Sequence, residues 1–250
     1  MGVELLLLRH GQVPNHRSDV PLTDLGQAQA EAAGRWFAEE GIEIAALLSG
    51  ETRRTRDTAV GFAAGYRTVG NDLPDPVVSF ALRNPDFYLG GHRINMAEGA
   101  PALAGQSPSV TEDDVHEVPF YRDLMVAPDR VGFWLEHGNV PGDTARDVGF
   151  RIDRFARSLV DVPAWRGGTV VAITHSPVLR AVRFHHWAEY SKEPPFLHGY
   201  RLQVEQGGPI TMSTFATGTG DLPVTARPGA GLAEAEQRAA EAASSPVSNT

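Results

Sequence analysis

Cysteine is absent from the 250 residues. Its absence excludes a disulfide scaffold, a cysteine-ligated zinc site and a cysteine nucleophile. Long hydrophobic runs are missing as well. The longest near the N-terminus, Val3 to Leu8, is interrupted by Glu4, and it is too short for a signal-peptide core or a membrane span. The expectation is a cytoplasmic protein with no membrane partner. Positive charge is scarce: 22 Lys and Arg stand against 31 Asp and Glu, a net of −9. A field of that sign does not draw in nucleic acid or anionic lipid, so any anionic ligand needs a local basic pocket. The remainder is ordinary globular composition, 42% hydrophobic and 21% charged, in a chain long enough to bury a core without cross-links.

Strand and helix patterns alternate. Val3 to Leu8 reads as a buried, parallel strand that ends in Arg9-His10-Gly11. Residues 22–40 read as a helix that Thr23 or Asp24 caps and Gly41 stops. Ile42 to Leu48 is the next strand, Thr52 to Ala64 a helix, and Val77 to Leu82 a third strand. Residues 83–126 then lose periodicity among Asn84-Pro85, Gly90-Gly91, Pro101 and Pro108; a stretch this long without a pattern is expected to be an insertion or lid. Helices follow over Asp129 to His137 and Thr144 to Val160. Gly168 to Thr174 is the strongest strand pattern and ends in His175-Ser176-Pro177. Val178 to Tyr190 reads as a helix, and Tyr200 to Val204 with Ile210 to Phe215 as an antiparallel pair. The expected organisation is an α/β domain over 1–221 with a mostly parallel sheet, and a poorly ordered Ala/Glu/Ser/Pro tail over 222–250.

His10 and His175 each follow a strand and enter a turn. Open α/β sheets bind ligands outside the carboxyl ends of their strands, so both imidazoles point to one crevice. Arg9 lies beside His10, and Arg53, Arg54 and Arg56 open a helix that faces the same edge. A helical wheel sends these three in different directions, and Arg53 and Arg56 read as solvated. Guanidinium forks and helix N-termini suit a phosphoryl group, and a neutral imidazole beside them suits a histidine nucleophile. His185 and His186 are adjacent on a helix, do not share a face, and are not expected to form a metal pair.

Leu8-Arg9-His10-Gly11-Gln12 resembles the Arg-His-Gly signature of the histidine phosphatase superfamily, which includes the cofactor-dependent phosphoglycerate mutases. Leu22-Thr23-Asp24-Leu25-Gly26-Gln27-Ala28-Gln29-Ala30 resembles the family's Leu-Thr-x-x-Gly-x-x-Gln-Ala segment, and Arg54-Thr55-Arg56-Asp57-Thr58-Ala59 its Arg-Ala-x-Gln-Thr-Ala helix. Pro141-Gly142-Asp143-Thr144 resembles the Gly-Glu-Ser turn, and Val170 to Val182 the strand and helix that carry the second histidine. These pieces stand in family order over residues 3–185; Ser176 after the second histidine, where the phytase and acid-phosphatase branch has aspartate, together with the absence of cysteine and of a signal-like segment, favours the mutase-like branch 1.

The resemblance implies a phosphoglycerate mutase-like three-layer α/β/α fold with the 83–126 insertion near the site. It implies His10 as the nucleophile that becomes phosphohistidine, with Arg9, Arg54 and His175 completing a phosphate pocket. It implies no metal and no cofactor, and a small phosphorylated substrate as partner. The chain departs from the family at Leu82-Arg83-Asn84, where a proton-donating glutamate is common. Asp86 is the first substitute acid by proximity and Glu98 the second. The mutase asparagine position holds His16, with Asn15 beside it. Asn15, His16, Thr23, Arg83, Glu98 and Ser176 are the expected substrate-binding residues. The leading function is a phosphatase for a small phosphomonoester; a mutase, a non-catalytic phosphate binder and a pocket recruited for another anionic ligand are the alternatives.

Overall fold

The computed structural model describes residues 2–70 and 72–218; the tail expected over 222–250 lies outside them. The run at Val3–Arg9 forms strand β1. Its alternate side chains go to opposite faces: Leu5 and Leu7 join one buried cluster, Leu6 and Leu8 the other. Apolar residues at every position are therefore required of a strand covered on both sides. Helices α1 (Asp24–Glu39) and α2 (Arg53–Arg67) cover the Leu6/Leu8 face through Phe37 and Phe62, flanking β2 (Ile44–Ser49) in sequence.

The third strand is shorter than its pattern. β3 is only Val77–Val78, followed by a 3-10 turn at Phe80–Leu82. It lies at the sheet edge, and Pro74 and Pro76 just before it lack donors for a longer ladder. The 83–126 insertion is not an unpatterned loop either. It holds an antiparallel hairpin, β4 (Asp86–Leu89) with β5 (His92–Asn95), and short helices α3 (Ala100–Ala104), α4 (Glu112–Glu117) and α5 (Pro119–Val126). Short elements with proline at their starts give no periodicity over a reading window. They bury Phe87, Ile94, Leu103, Val115, Tyr121 and Leu124 in the Leu5/Leu7 cluster.

Helix α6 (Arg130–Glu136) follows, then α7 (Ala145–Leu159), which opens with a capping box between Thr144 and Asp147. Strand β6 (Thr169–Thr174) leads into α8 (Ser176–Trp187), and β7 (Gly199–Val204) pairs with β8 (Ile210–Phe215) as an antiparallel hairpin. The sheet order is β3-β2-β6-β1-β7-β8, parallel through the first four. Residues of α7 and α8 cover the face opposite α1 and α2, which gives three layers. Among the described residues no helix is long and apolar enough to cross a membrane.

Leu7 is fully buried in the central strand. Leu7→Ala is expected to cost about 2–5 kcal/mol in urea denaturation; a loss no larger than that of a surface substitution would contradict burial on both sheet faces.

Candidate active site

The sheet register brings the two histidines together. Arg9 pairs with Thr174 across the parallel β1–β6 ladder, so His10 and His175, each the next residue, leave neighbouring strands side by side. Strands lie about 4.8 Å apart, and the two imidazole centroids are 5.6 Å apart. His10 donates its backbone N–H to the Thr174 carbonyl (3.0 Å). Its Nδ1 lies 2.7 Å from the Gly11 carbonyl oxygen. A carbonyl only accepts, so Nδ1 carries the hydrogen and Nε2 presents its lone pair.

The segment after His10 is held by residues of two motifs, Arg54–Ala59 and Leu22–Ala30. Gly11 N–H donates to Thr58 Oγ1 (3.0 Å) and Gln12 N–H to Gln29 Oε1 (3.0 Å). A Cβ on Gly26 would stand 2.2 Å from the Gln12 carbonyl oxygen, so glycine is required for the first turn of α1 to approach this closely. The two motifs thus hold the loop after His10 in place.

Arg9, His10, Arg54 and His175 are all buried. Arg9 Nη1 donates to the Pro194 carbonyl (2.7 Å), Nη2 lies 3.2 Å from Glu193 Oε1, and the guanidinium covers the Phe196 ring at 4.1 Å. Arg54, in the first turn of α2, has only a distant acid in Asp19 at 3.9 Å. Burial pushes Arg54 down to about 10 against a partial rise from Asp19, which leaves it charged at neutral pH. Burial, and then Arg54, hold both His10 and His175 well below the usual imidazole range. Both rings are therefore neutral beside two guanidinium groups. Among the described residues neither ring nitrogen of His175, nor Ser176 Oγ, nor Asn84 Oδ1 has a hydrogen-bond partner, although each is buried. Buried polar atoms in this state are poised for a ligand with many acceptor oxygens and exchangeable protons.

A cavity of about 550 Å³ opens over these groups, a size suited to a small molecule. His10, His16, Arg54, Asn84, Glu98, His175 and Ser176 line it. His16 takes the place resembling the mutase asparagine, its ring 6.0 Å from that of His10, with Glu98 Oε1 at 3.7 Å from its Nδ1. Arg9 acts electrostatically on the rings of His10, His16 and His175, lowering the pKa of each.

Four expected site residues stand elsewhere. Asp86 does not face the cavity as an acid: its carboxylate accepts from Arg83 Nε (2.8 Å) and from Arg93 Nε. Strand β4 turns its side chain into an ion cluster that continues through Arg93–Glu51 and Asp143–Arg151. Arg83 is occupied in the same cluster and covers the Phe80 ring at 4.1 Å. Thr23 is the N-cap of α1, accepting from Gly26 N–H. Asn15 closes a turn, its Oδ1 accepting from Arg17 N–H (3.0 Å).

Sequence reasoning passed over Arg180, Asp129, Arg130 and Lys192, which line the outer cavity. Arg180 is buried and grips Asp129 through two parallel hydrogen bonds of 2.7 and 2.6 Å. These bonds hold the Asp129 carboxyl below the usual range. The signal for Arg180 was its place four residues beyond Ser176 on one helix face. His185 and His186 also differ from expectation: both rings converge on Asp153 of α7, at 3.2 and 2.9 Å. The carboxylate sits between the two directions that adjacent helical residues take, so two faces meet at a third group.

Residues 5–72 match the family model of the histidine phosphatase superfamily (branch 1). A 2,3-bisphosphoglycerate-dependent phosphoglycerate mutase of Rhizobium etli is 25% identical over 189 residues, 72% of this chain and 78% of that protein. A mycobacterial glucosyl-3-phosphoglycerate phosphatase shares the fold with a TM-score of 0.55 at 21% identity, over 85% of this chain and 96% of that one. A phosphoglycerate mutase of Bacillus anthracis does so with a TM-score of 0.54 at 17% identity, over 85% and 92%. Over residues 5–72 the chain thus resembles the histidine phosphatase superfamily (branch 1), and the proteins it is similar to include a phosphatase and mutases.

Neutral burial of His10 and His175 makes stability depend on pH. In the unfolded chain both take protons near pH 6.5, whereas the folded chain resists protonation until well below that. The stability present above pH 6.5 is therefore lost as pH falls toward the folded values. Melting temperatures between pH 7.5 and 5 are expected to fall in the native chain and to fall less in His175→Gln; equal slopes would contradict a neutral, buried His175.

Proposed function

We propose that the protein is a metal-independent phosphatase that hydrolyses a small phosphomonoester through a phosphohistidine on His10. The observation that carries this reading is the meeting of His10, His175 and Arg54 in the lining of one cavity, with buried Arg9 close enough to act on both rings, in a chain whose net charge is −9. Two guanidinium groups in a buried site favour a phosphoryl dianion far more than they would in water. His10 Nε2 attacks phosphorus; the N–P bond forms as the ester P–O bond breaks. The departing alkoxide takes a proton from Glu98, which lines the cavity beside His16, whereas the other acids of the lining, Asp129 and Glu193, are paired with Arg180 and Arg9. Water then attacks phosphorus, the N–P bond breaks, and the water proton passes to Glu98. His175 and Ser176, without other partners, donate to the equatorial oxygens as charge develops.

A mutase is the second reading, favoured by the Rhizobium relative. It requires the phosphoryl group to return to another hydroxyl. Asn84 and His16, at the places where the chain departs from the mutase pattern, weigh against it.

The test is phosphate release in EDTA from p-nitrophenyl phosphate and a panel of alkyl phosphomonoesters. Turnover is expected in the native chain and none in His10→Ala. Isomerisation of phosphoglycerate with phosphate retained would establish the mutase instead, and no turnover on any ester would leave a binding pocket. Glu98→Gln is expected to slow alkyl esters by about 10²-fold or more, and p-nitrophenyl phosphate far less, because a phenolate leaves without a proton. Equal losses on both substrates would remove Glu98 from the acid role.

A further inference from the structure

Beyond the cavity, Asp153, His185 and His186 gather where α7 packs against the end of α8. His185 Nε2 is 3.2 Å from Asp153 Oδ2, and His186 Nε2 is 2.9 Å from Asp153 Oδ1. One ligand atom from each residue lies within 4.8 Å of the others. All three side chains are mostly shielded yet reachable from solvent, at 13 to 19% exposure. The arrangement is built in. A Cβ on Gly149 would stand 2.6 Å from His185 Cβ, so a glycine in the middle of α7 makes room for that histidine. The Phe150 ring then fixes the imidazole from the side, centroids 4.8 Å apart.

We propose that Asp153, His185 and His186 form a binding site for a divalent transition-metal cation of the zinc type. Two imidazole nitrogens and one carboxylate oxygen are ligands that Zn²⁺ takes at about 2.0–2.2 Å. Tetrahedral ligands at that radius stand about 3.3 Å from each other; the two nitrogens already lie 3.2 and 2.9 Å from the two oxygens of the one carboxylate, and the three ligand atoms lie within 4.8 Å of one another, so the groups have to draw together to close on one ion. Without metal each Nε2 donates its hydrogen to the Asp153 carboxylate; metal binding through Nε2 displaces that hydrogen and leaves the neutral ring with its hydrogen on Nδ1. Solvent or an external ligand completes the coordination, since only three protein groups converge. The site stands some ten residues along α8 from His175, about 15 Å at the helical rise, so it takes no part in the proposed phosphoryl chemistry and does not rest on it. EDTA-resistant turnover is compatible with both. The cation would tie α7 to α8 and stabilise the fold in proportion to its concentration.

The experiment is calorimetric titration of the full, EDTA-stripped chain with Zn²⁺ at pH 7.5, beside Asp153→Asn, His186→Gln and His175→Gln. The expected result is a single equivalent bound by the native chain and by His175→Gln, with a raised melting temperature. Affinity is expected to drop at least about tenfold in the first two variants. Titration of the native chain with Co²⁺ needs no variant and is expected to give the visible absorption of low-coordinate cobalt. Three results would overturn the proposal: no uptake of either ion, loss of binding in His175→Gln, or equal affinity in Asp153→Asn and His186→Gln.

Discussion

The parallel pairing of β1 with β6 is the constraint on which the site depends. Because Arg9 stands opposite Thr174, the next residue on each strand leaves the sheet at the same height and His10 meets His175. A slip of one residue would send the two imidazoles to opposite faces. Register is in turn fixed by burial on both faces. Leu5 and Leu7 are held under α7, α8 and the insertion, and Leu6 and Leu8 under α1 and α2. The catalytic geometry is thus a consequence of a core that tolerates only one alignment.

Electrostatics complete what register begins. The chain as a whole is acidic, yet its deepest polar site gathers two guanidinium groups and two neutral imidazoles. Burial is the larger influence on both histidines, and Arg54 the next. A neutral His10 with Nδ1 committed to the Gly11 carbonyl leaves the lone pair of Nε2 free. A charged Arg54 with only a distant acid is left to neutralise an incoming dianion. The acidic exterior makes the charge of this pocket local, which favours a small anion over a polyanion.

Much of this was legible in the chain. The short apolar run from Val3 to Leu8 spoke for a buried strand, and the turn Pro141-Gly142-Asp143 for the helix after it; both signals are local, and local chemistry decides them. The two strand-ending histidines were legible because α/β sheets place their ligands at one edge. Asp86 was chosen by nearness along the chain, and that is where the reading failed. A hairpin reverses direction within six residues, and whether a β4 side chain faces the cavity or Arg83 and Arg93 depends on pairing that sequence distance does not encode. The insertion's short helices gave no period for the same reason. The spacing from Ser176 could place Arg180 on the site's face of α8, but its grip on Asp129 and the meeting of His185 with His186 at Asp153 depend on how α8 lies against other elements. Motif residues such as Thr23, Gly26 and Gln29 were found for their resemblance, and their physical work is to hold the loop after His10 rather than to touch a ligand.

The central claim is that His10 carries the phosphoryl group between ester and water. The most direct measurement is rapid acid-free quenching of the native chain mixed with a turning-over phosphomonoester, followed by peptide mass spectrometry and ³¹P NMR. The account predicts one acid-labile, base-stable phosphoryl adduct on the peptide containing His10, absent from His10→Ala and short-lived enough to vanish once substrate is exhausted. Turnover with no adduct at any quench time, or an adduct on a different residue, would contradict it.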